Sequence, residues 1–199
     1  MQLVENHIVK KGHKFYNECD ELCFKAKNLY NAANYIIRKA FIEVEEKDRT
    51  YIPYVTMDKL IKNMDFGKHK NPYRELKATP AQQVLRRLDQ DWRNFFAAIK
   101  DWSKNKHKYK GMPGPPKYKH KVKGRAQVVY PKITLSKMAF EKEKVFHLSG
   151  SNIKIKPYKA NLENVNQVVI TPKNGFLSSG LFILCKILLC LKFLRKSFQ

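Results

Sequence analysis

Residues 111–116 read GMPGPP. Three prolines and two glycines in six positions remove backbone donors and loosen the chain, so neither a helix nor an interior strand passes through them. This break divides the sequence by hydrophobic period. Before it, apolar residues recur every three or four positions. After it, they recur every two. Helices are therefore predicted on the N-terminal side and short strands on the C-terminal side, which is an α+β pattern.

The helical signals are specific. Over residues 17–43, Leu22, Ala26, Leu29, Ala33, Ile36, Ile37, Ala40 and Phe41 form one apolar stripe, with Asn17 or Asp20 placed to cap it. Thr56 is placed to cap a short helix carrying Met57, Leu60, Ile61 and Met64. Thr79-Pro80-Ala81-Gln82 supplies a capping hydroxyl, a first-turn proline and a glutamine three residues after the cap. The stripe behind it, Val84, Leu85, Leu88, Trp92, Phe95, Phe96, Ile99 and Trp102, is aromatic enough to supply much of a core. The opposite face mixes Arg86, Arg87, Arg93 and Lys100 with Asp89, Asp91 and Asp101, and reads as solvated. Residues 2–9 read as a lone strand. Residues 127–134, 145–149, 152–158 and 165–171 read as short strands of a small antiparallel sheet or barrel.

The break lies inside the most basic part of the chain. Residues 104–125, KNKHKYKGMPGPPKYKHKVKGR, hold Lys104, Lys106, Lys108, Lys110, Lys117, Lys119, Lys121, Lys123 and Arg125 and no carboxylate. Such a strip repels itself, and a polyanion relieves that repulsion while releasing counterions. Tyr109 and Tyr118 interleave flat faces on which bases can stack. The same bias runs through the chain, whose formal net charge is +23. Residues 1–101 carry 19 Lys/Arg against 14 Asp/Glu, a net of +5, and residues 102–199 carry 21 against 3, a net of +18. Nucleic acid is the partner this predicts. The strip lysines and Arg125 are the expected phosphate contacts, with Lys10, Lys11, Lys14, Arg86, Arg87, Lys154 and Lys156 behind them.

Other chemistry has little support. Cys19 and Cys23 lie four apart on one helix face and lack two further ligands, and Cys185 and Cys190 sit in an apolar tail, so all four read as reduced thiols. The six histidines are not paired at zinc-binding spacing, and the acidic run of Glu43, Glu45, Glu46 and Asp48 reads as solvated. The first residues, MQLVENHIVKKGHKF, lack the apolar core of a signal peptide, which predicts a cytoplasmic location. Composition shifts at Gly175. The apolar run 180–191 carries Lys186 and is short for a membrane span, leaving a basic amphipathic helix at a membrane surface as the alternative reading.

The order of these elements resembles the N-terminal half of the TnpB (OrfB) proteins of bacterial insertion sequences, compact RNA-guided nucleases related to type V CRISPR effectors and known as transposases. The resemblance is carried by ATPAQQVLRRLDQDWRNFFAAIKDW, then YKGMPGPPKYK, then VNQVVITPKNG, with KKGHKFYNECDELCFKAKNLYNAANYIIR similar to the family's helix-turn-helix-like opening. It implies that residues 1–14 hold the first strand of a wedge-like β-barrel and that residues 15–110 form a helical recognition lobe inserted in it. Residues 111–126 would be the basic connector and residues 127–175 the remaining barrel strands. The implied partners are guide RNA and target DNA. The family's RNase H-like domain, with metal-binding carboxylates for magnesium and a structural zinc insert, has no counterpart here, since no Asp or Glu follows Gly175. The resemblance therefore implies a truncated member that binds without cutting, with no cofactor in this chain and residues 176–199 as non-homologous tail.

Overall fold

The lone N-terminal strand finds its partner at the far end of the chain. The computed structural model describes residues 3–177 and 180–191, and the side chains of residues 4–172. Strand β1 (Leu3–Val9) leads into helices α1 (Tyr16–Phe41), α2 (Tyr54–Asn63) and α3 (Ala78–Lys104). Past the break come β2 (Val128–Pro131), helix α4 (Lys137–Glu143), the paired strands β3 (Phe146–His147) and β4 (Lys154–Ile155), and two long strands, β5 (Val165–Leu177) and β6 (Gly180–Leu191). The fold is α+β, as the period change predicts.

The main sheet is antiparallel with the order β1-β6-β5-β2. The helical block thus leaves the sheet from one edge strand and returns at the other. The expected closed barrel is not formed among the described residues: β1 and β2 remain the edges of an open sheet. The return strand β2 has only four residues and ends at Pro131, which has no N–H for a further ladder.

The apolar tail is a strand over residues 180–191, where an amphipathic helix was the alternative expectation. It pairs with β1 from Leu3↔Leu191 to Val9↔Cys185, and with β5 from Val165↔Leu191 to Leu177↔Gly180. Strand β5 crosses Gly175, where the composition shifts, without a break. A ladder on each side gives the backbone of β6 its hydrogen-bond partners internally. No helix among the described residues is long and apolar enough to cross a membrane.

The core is built where the stripes of α1 and α3 meet. Cys19, Cys23, Ala26, Leu29, Ala33 and Ile37 are buried from α1, and Val84, Leu85, Leu88 and Trp92 from α3. Cys19 and Cys23 are not disulfide-bonded. The α3 stripe thins beyond Trp92, with Phe95, Phe96, Ile99 and Trp102 half-buried. Trp92 is the hub of an aromatic cluster, with the rings of Phe41, Tyr51, Phe95 and Phe96 at 5.7–6.3 Å between centroids.

Helix starts differ from the sequence expectations in an instructive way. Helix α1 begins after Phe15, without a side-chain cap from Asn17 or Asp20. Helix α3 begins after Lys77, so Thr79 lies inside the first turn. Helix α2 begins after Pro53, two residues before Thr56, and its Tyr54 amide donates to Asp89 Oδ1 of α3 at 2.9 Å. A tertiary carboxylate does the work assigned to a local hydroxyl. Asp89, expected on a solvated face, is only 9% exposed, and it also accepts from Tyr51 Oη at 2.8 Å and Arg93 Nε at 2.7 Å. Burial pushes its carboxyl up, but the Tyr51, Tyr54 and Arg93 donors outweigh burial and hold it below the usual carboxylate range. Helix α4 was not foreseen, because seven residues are too few for a period to show. Ser136 caps it by accepting the Ala139 amide, and Phe140 stacks on Phe146 at 4.9 Å.

Candidate nucleic-acid interface

The basic strip is not a loose linker. From Pro116 to Ala126 its backbone runs antiparallel along one face of α1 and is held there by side chains at helical spacing. Lys27 Nζ donates to the Lys121 carbonyl at 2.6 Å. Asn31 closes a pair with Lys119, donating to its carbonyl at 2.8 Å and accepting its amide at 2.9 Å. Asn34 and Arg38 both donate to the Pro116 carbonyl, at 3.0 and 3.1 Å. The Ala126 amide completes the series on the Cys23 carbonyl at 2.9 Å. Positions 27, 31, 34 and 38 fall on one helix face. With these carbonyls turned to the helix, Lys117, Lys121 and Lys123 are left exposed.

Asn34 couples the strip to the core. It is fully buried, and its Oδ1 accepts Trp92 Nε1–H at 3.0 Å while its amide holds Pro116. One side chain therefore joins the aromatic hub to the proline block. Lys27 is 2% exposed and lies 3.8 Å from the Phe24 ring centroid. Burial, and next the charge of Arg125, push its ammonium below the ordinary lysine range.

The strip has two arms. The first follows the end of α3. Tyr109 Oη donates to Asp101 Oδ2 at 2.7 Å, Asn105 donates to Asp101 Oδ1 at 2.7 Å, and Lys106 lies 5.1 Å from the Trp102 ring centroid. Lys104, Lys106, Lys108 and Lys110 are exposed around this anchor. The second arm runs along α1. Lys117, Lys121 and Lys123 are exposed, and Tyr118 is 46% exposed with Arg38 5.2 Å from its ring centroid. Lys119 is half-buried, its ammonium 4.7 Å from the Tyr30 ring centroid. Among the described residues, none of these eight lysines forms an ion pair with a carboxylate.

Arg125 is placed differently from the expectation of a phosphate contact. Its Nε and Nη2 fork the Asp20 carboxylate, both at 2.7 Å, and its Nη1 donates to the carbonyls of Val122 and Gly124. It closes the strip onto the start of α1. Gly124 is required at that turn, because an added Cβ would run into the His120 carbonyl.

The second-rank candidates fall in three places. Lys10 and Lys11 are exposed in the turn after β1. Lys14, Lys154 and Lys156 share a concavity of about 520 Å³ with His7 and Tyr158, where Lys154 is paired to Glu143 at 2.7 Å and Lys14 lies 4.7 Å from the Phe15 centroid. Arg86 and Arg87 join Lys119 in a cleft of about 400 Å³ between α3 and the sheet, together with Gln83, Gln127 and Gln167. Arg86 lies 4.3 Å from the Tyr54 centroid, and Arg87 pairs with Asp91 at 3.3 Å. The structure thus brings Arg86 and Arg87 together with Lys119 of the second arm, keeps the first arm at the end of α3, and leaves Lys14, Lys154 and Lys156 as a separate group.

Sequence reasoning missed the residues that present the strip, namely Lys27, Asn31, Asn34 and Arg38. A signal was there: Lys27, Asn34 and Arg38 each follow an apolar stripe position of α1, where a purely solvated face would not begin. Among the described residues no three His, Cys, Asp or Glu side chains gather as metal ligands do. No family model, curated protein or solved structure matches the chain.

Proposed function

We propose that this chain binds nucleic acid, as the guide-RNA- and target-DNA-binding part of a TnpB-like RNA-guided protein, and that cleavage is not carried by these 199 residues. One observation carries the binding: the side chains of α1 hold the backbone of residues 116–121 by its carbonyls, and Lys117, Lys121 and Lys123, which pair with no carboxylate among the described residues, form an exposed basic ridge there. A ridge already ordered before binding loses little further conformational entropy when it meets a phosphate chain. The chain order of a first strand, three helices and then further strands is what supports the reading of a recognition lobe inserted between strands of a wedge-like barrel. In such proteins base pairing supplies the sequence and the protein grips backbone and shape.

The test is the salt dependence of binding to a labelled RNA and to an RNA–DNA heteroduplex, measured by fluorescence anisotropy. Wild type is expected to show a steep negative slope of log affinity against log salt. Replacing Lys117, Lys121 and Lys123 by alanine is expected to make that slope shallower by about one for each lysine removed. Binding that is absent at low salt, or a slope unchanged in the triple variant, overturns the proposal.

A further inference from the structure

Beside the second arm lies a groove of about 820 Å³, walled by α1, by the strip and by the α2–α3 connection. It continues into a second concavity of about 610 Å³, with which it shares Phe66, His69, Lys70 and Glu75. We infer that this groove holds an unstacked nucleotide of a single strand, with its base on the face of Phe66 and its phosphate between Lys70 and Lys121. The inference rests on the nucleic-acid reading above and adds a site for a flipped-out or unpaired base that the lysine ridge alone does not provide.

Four features of the groove fit that occupant. Phe66 lines it half-buried, packed in part against the core, and makes no ring–ring or cation–ring contact among the described residues. It is held on a fixed turn: Asp65 Oδ1 accepts the Gly67 amide at 2.8 Å, and Gly67 takes φ +61°, a conformation natural to glycine. The ends of this connection are also pinned, since Asn71 Nδ2 donates to the Ile61 and Met64 carbonyls at the end of α2, and Asn71 Oδ1 accepts the Tyr73 amide. Asn28 reaches the groove from α1 with an amide that makes no hydrogen bond among the described residues, a group able to pair with a base edge. The charge balance is cationic: Lys70 and Lys121 are exposed and form no ion pair among the described residues, against the single carboxylate of Glu75 in the groove lining. His120 accepts the Val122 and Lys123 amides on Nδ1, so its Nε2 is left as an N–H donor at the rim.

An unstacked base is recognised by an aromatic face, by hydrogen bonds to its edge and by a cation for its phosphate, and duplex nucleic acid offers no unstacked base to fill such a place. The groove volume is within the range of about 300–1,000 Å³ typical of small-ligand sites, ample for a nucleotide.

The experiment compares a labelled oligouridine single strand with an RNA duplex on wild type, Phe66→Ala, Asn28→Ala and Lys70→Ala. Phe66→Ala is expected to weaken single-strand binding roughly tenfold with an unchanged salt slope and unchanged duplex binding, because a stacking face is lost and no phosphate contact is. Lys70→Ala is expected to weaken it with a slope shallower by about 0.7. Because Phe66 also touches the core, a photocrosslink from 5-bromouridine to the segment containing Phe66 is measured on wild type as well. If wild type binds but Phe66→Ala and Asn28→Ala bind the single strand as wild type does, or lose duplex affinity equally, or if the crosslink maps elsewhere, the groove assignment fails and the lysine ridge stands. If wild type binds no nucleic acid, the proposed function fails and the groove assignment with it.

Discussion

Asn34 is the residue whose removal tests the architecture most directly. It is fully buried and serves Trp92 Nε1 and the Pro116 carbonyl, each at 3.0 Å. Asn34→Leu keeps the branched shape, with somewhat larger ends, and deletes both bonds. The Trp92 indole, itself 0% exposed, then loses its acceptor in the core. An orphaned buried donor costs about 1–3 kcal/mol, and a lost neutral hydrogen bond about 1 kcal/mol. Pro116 keeps Arg38, so its share sits at the low end. The variant should therefore lose roughly 2–4 kcal/mol of stability. Urea unfolding followed by far-ultraviolet circular dichroism reads this as a lower midpoint with the same slope. The decisive comparison is a cycle with Trp92→Phe. Where the indole N–H is already gone, Asn34→Leu leaves nothing orphaned and should cost only about 1 kcal/mol. Equal costs in the two backgrounds, within about 0.5 kcal/mol, would show that the Trp92–Asn34 bond does not tie the strip to the core.

Three further outcomes follow from the same geometry. Asp20→Asn breaks the fork on Arg125, and amide exchange at residues 122–125 should quicken while amides in the middle of α3 are unchanged; uniform protection throughout would refute the clamp. Glu5 accepts the amides of Tyr158, Lys159 and Ala160 at 2.7–2.9 Å, and these donors with His7 outweigh burial and hold its carboxyl below the usual range, as the donors of Asp89 do for that group. The unfolded chain therefore binds more protons at these two sites in mildly acidic solution, so their stabilisation is present above the ordinary carboxylate range and is lost as pH falls through the folded values; Glu5→Gln and Asp89→Asn should each flatten that acid-side decline, and a parallel decline would count against the assignment. Finally, the chain incubated with magnesium or manganese, guide RNA and target DNA should leave the DNA intact, and metal-dependent nicking would overturn the assignment of binding without cleavage.

Much of the molecule can be read before any coordinates are seen, because the relevant physics is local. The GMPGPP block must interrupt secondary structure, the stripe from Val84 to Trp92 must bury one side of a helix, and nine cations within residues 104–125 find no carboxylate inside their own segment, although Arg125 finds Asp20 in α1. The change of period across the break is likewise a property of neighbours, and it yields the α+β pattern. What the tertiary structure decided depends on residues far apart. The bonds from Lys27, Asn31 and Asn34 to the strip span 82 to 94 positions, so the period of α1 cannot show that its polar side chains are clamps. Asp89 looks solvated on a helical wheel and becomes a buried cap only because Tyr51 and Tyr54 fold onto it. The run 180–191 is apolar enough for several fates, and its strand form rests on pairing with β1 on one side and β5 on the other. Hydrophobic periodicity reports which face of an element is buried; it does not report against what, and polar burial, sheet order and the groove beside Phe66 are all matters of what lies opposite.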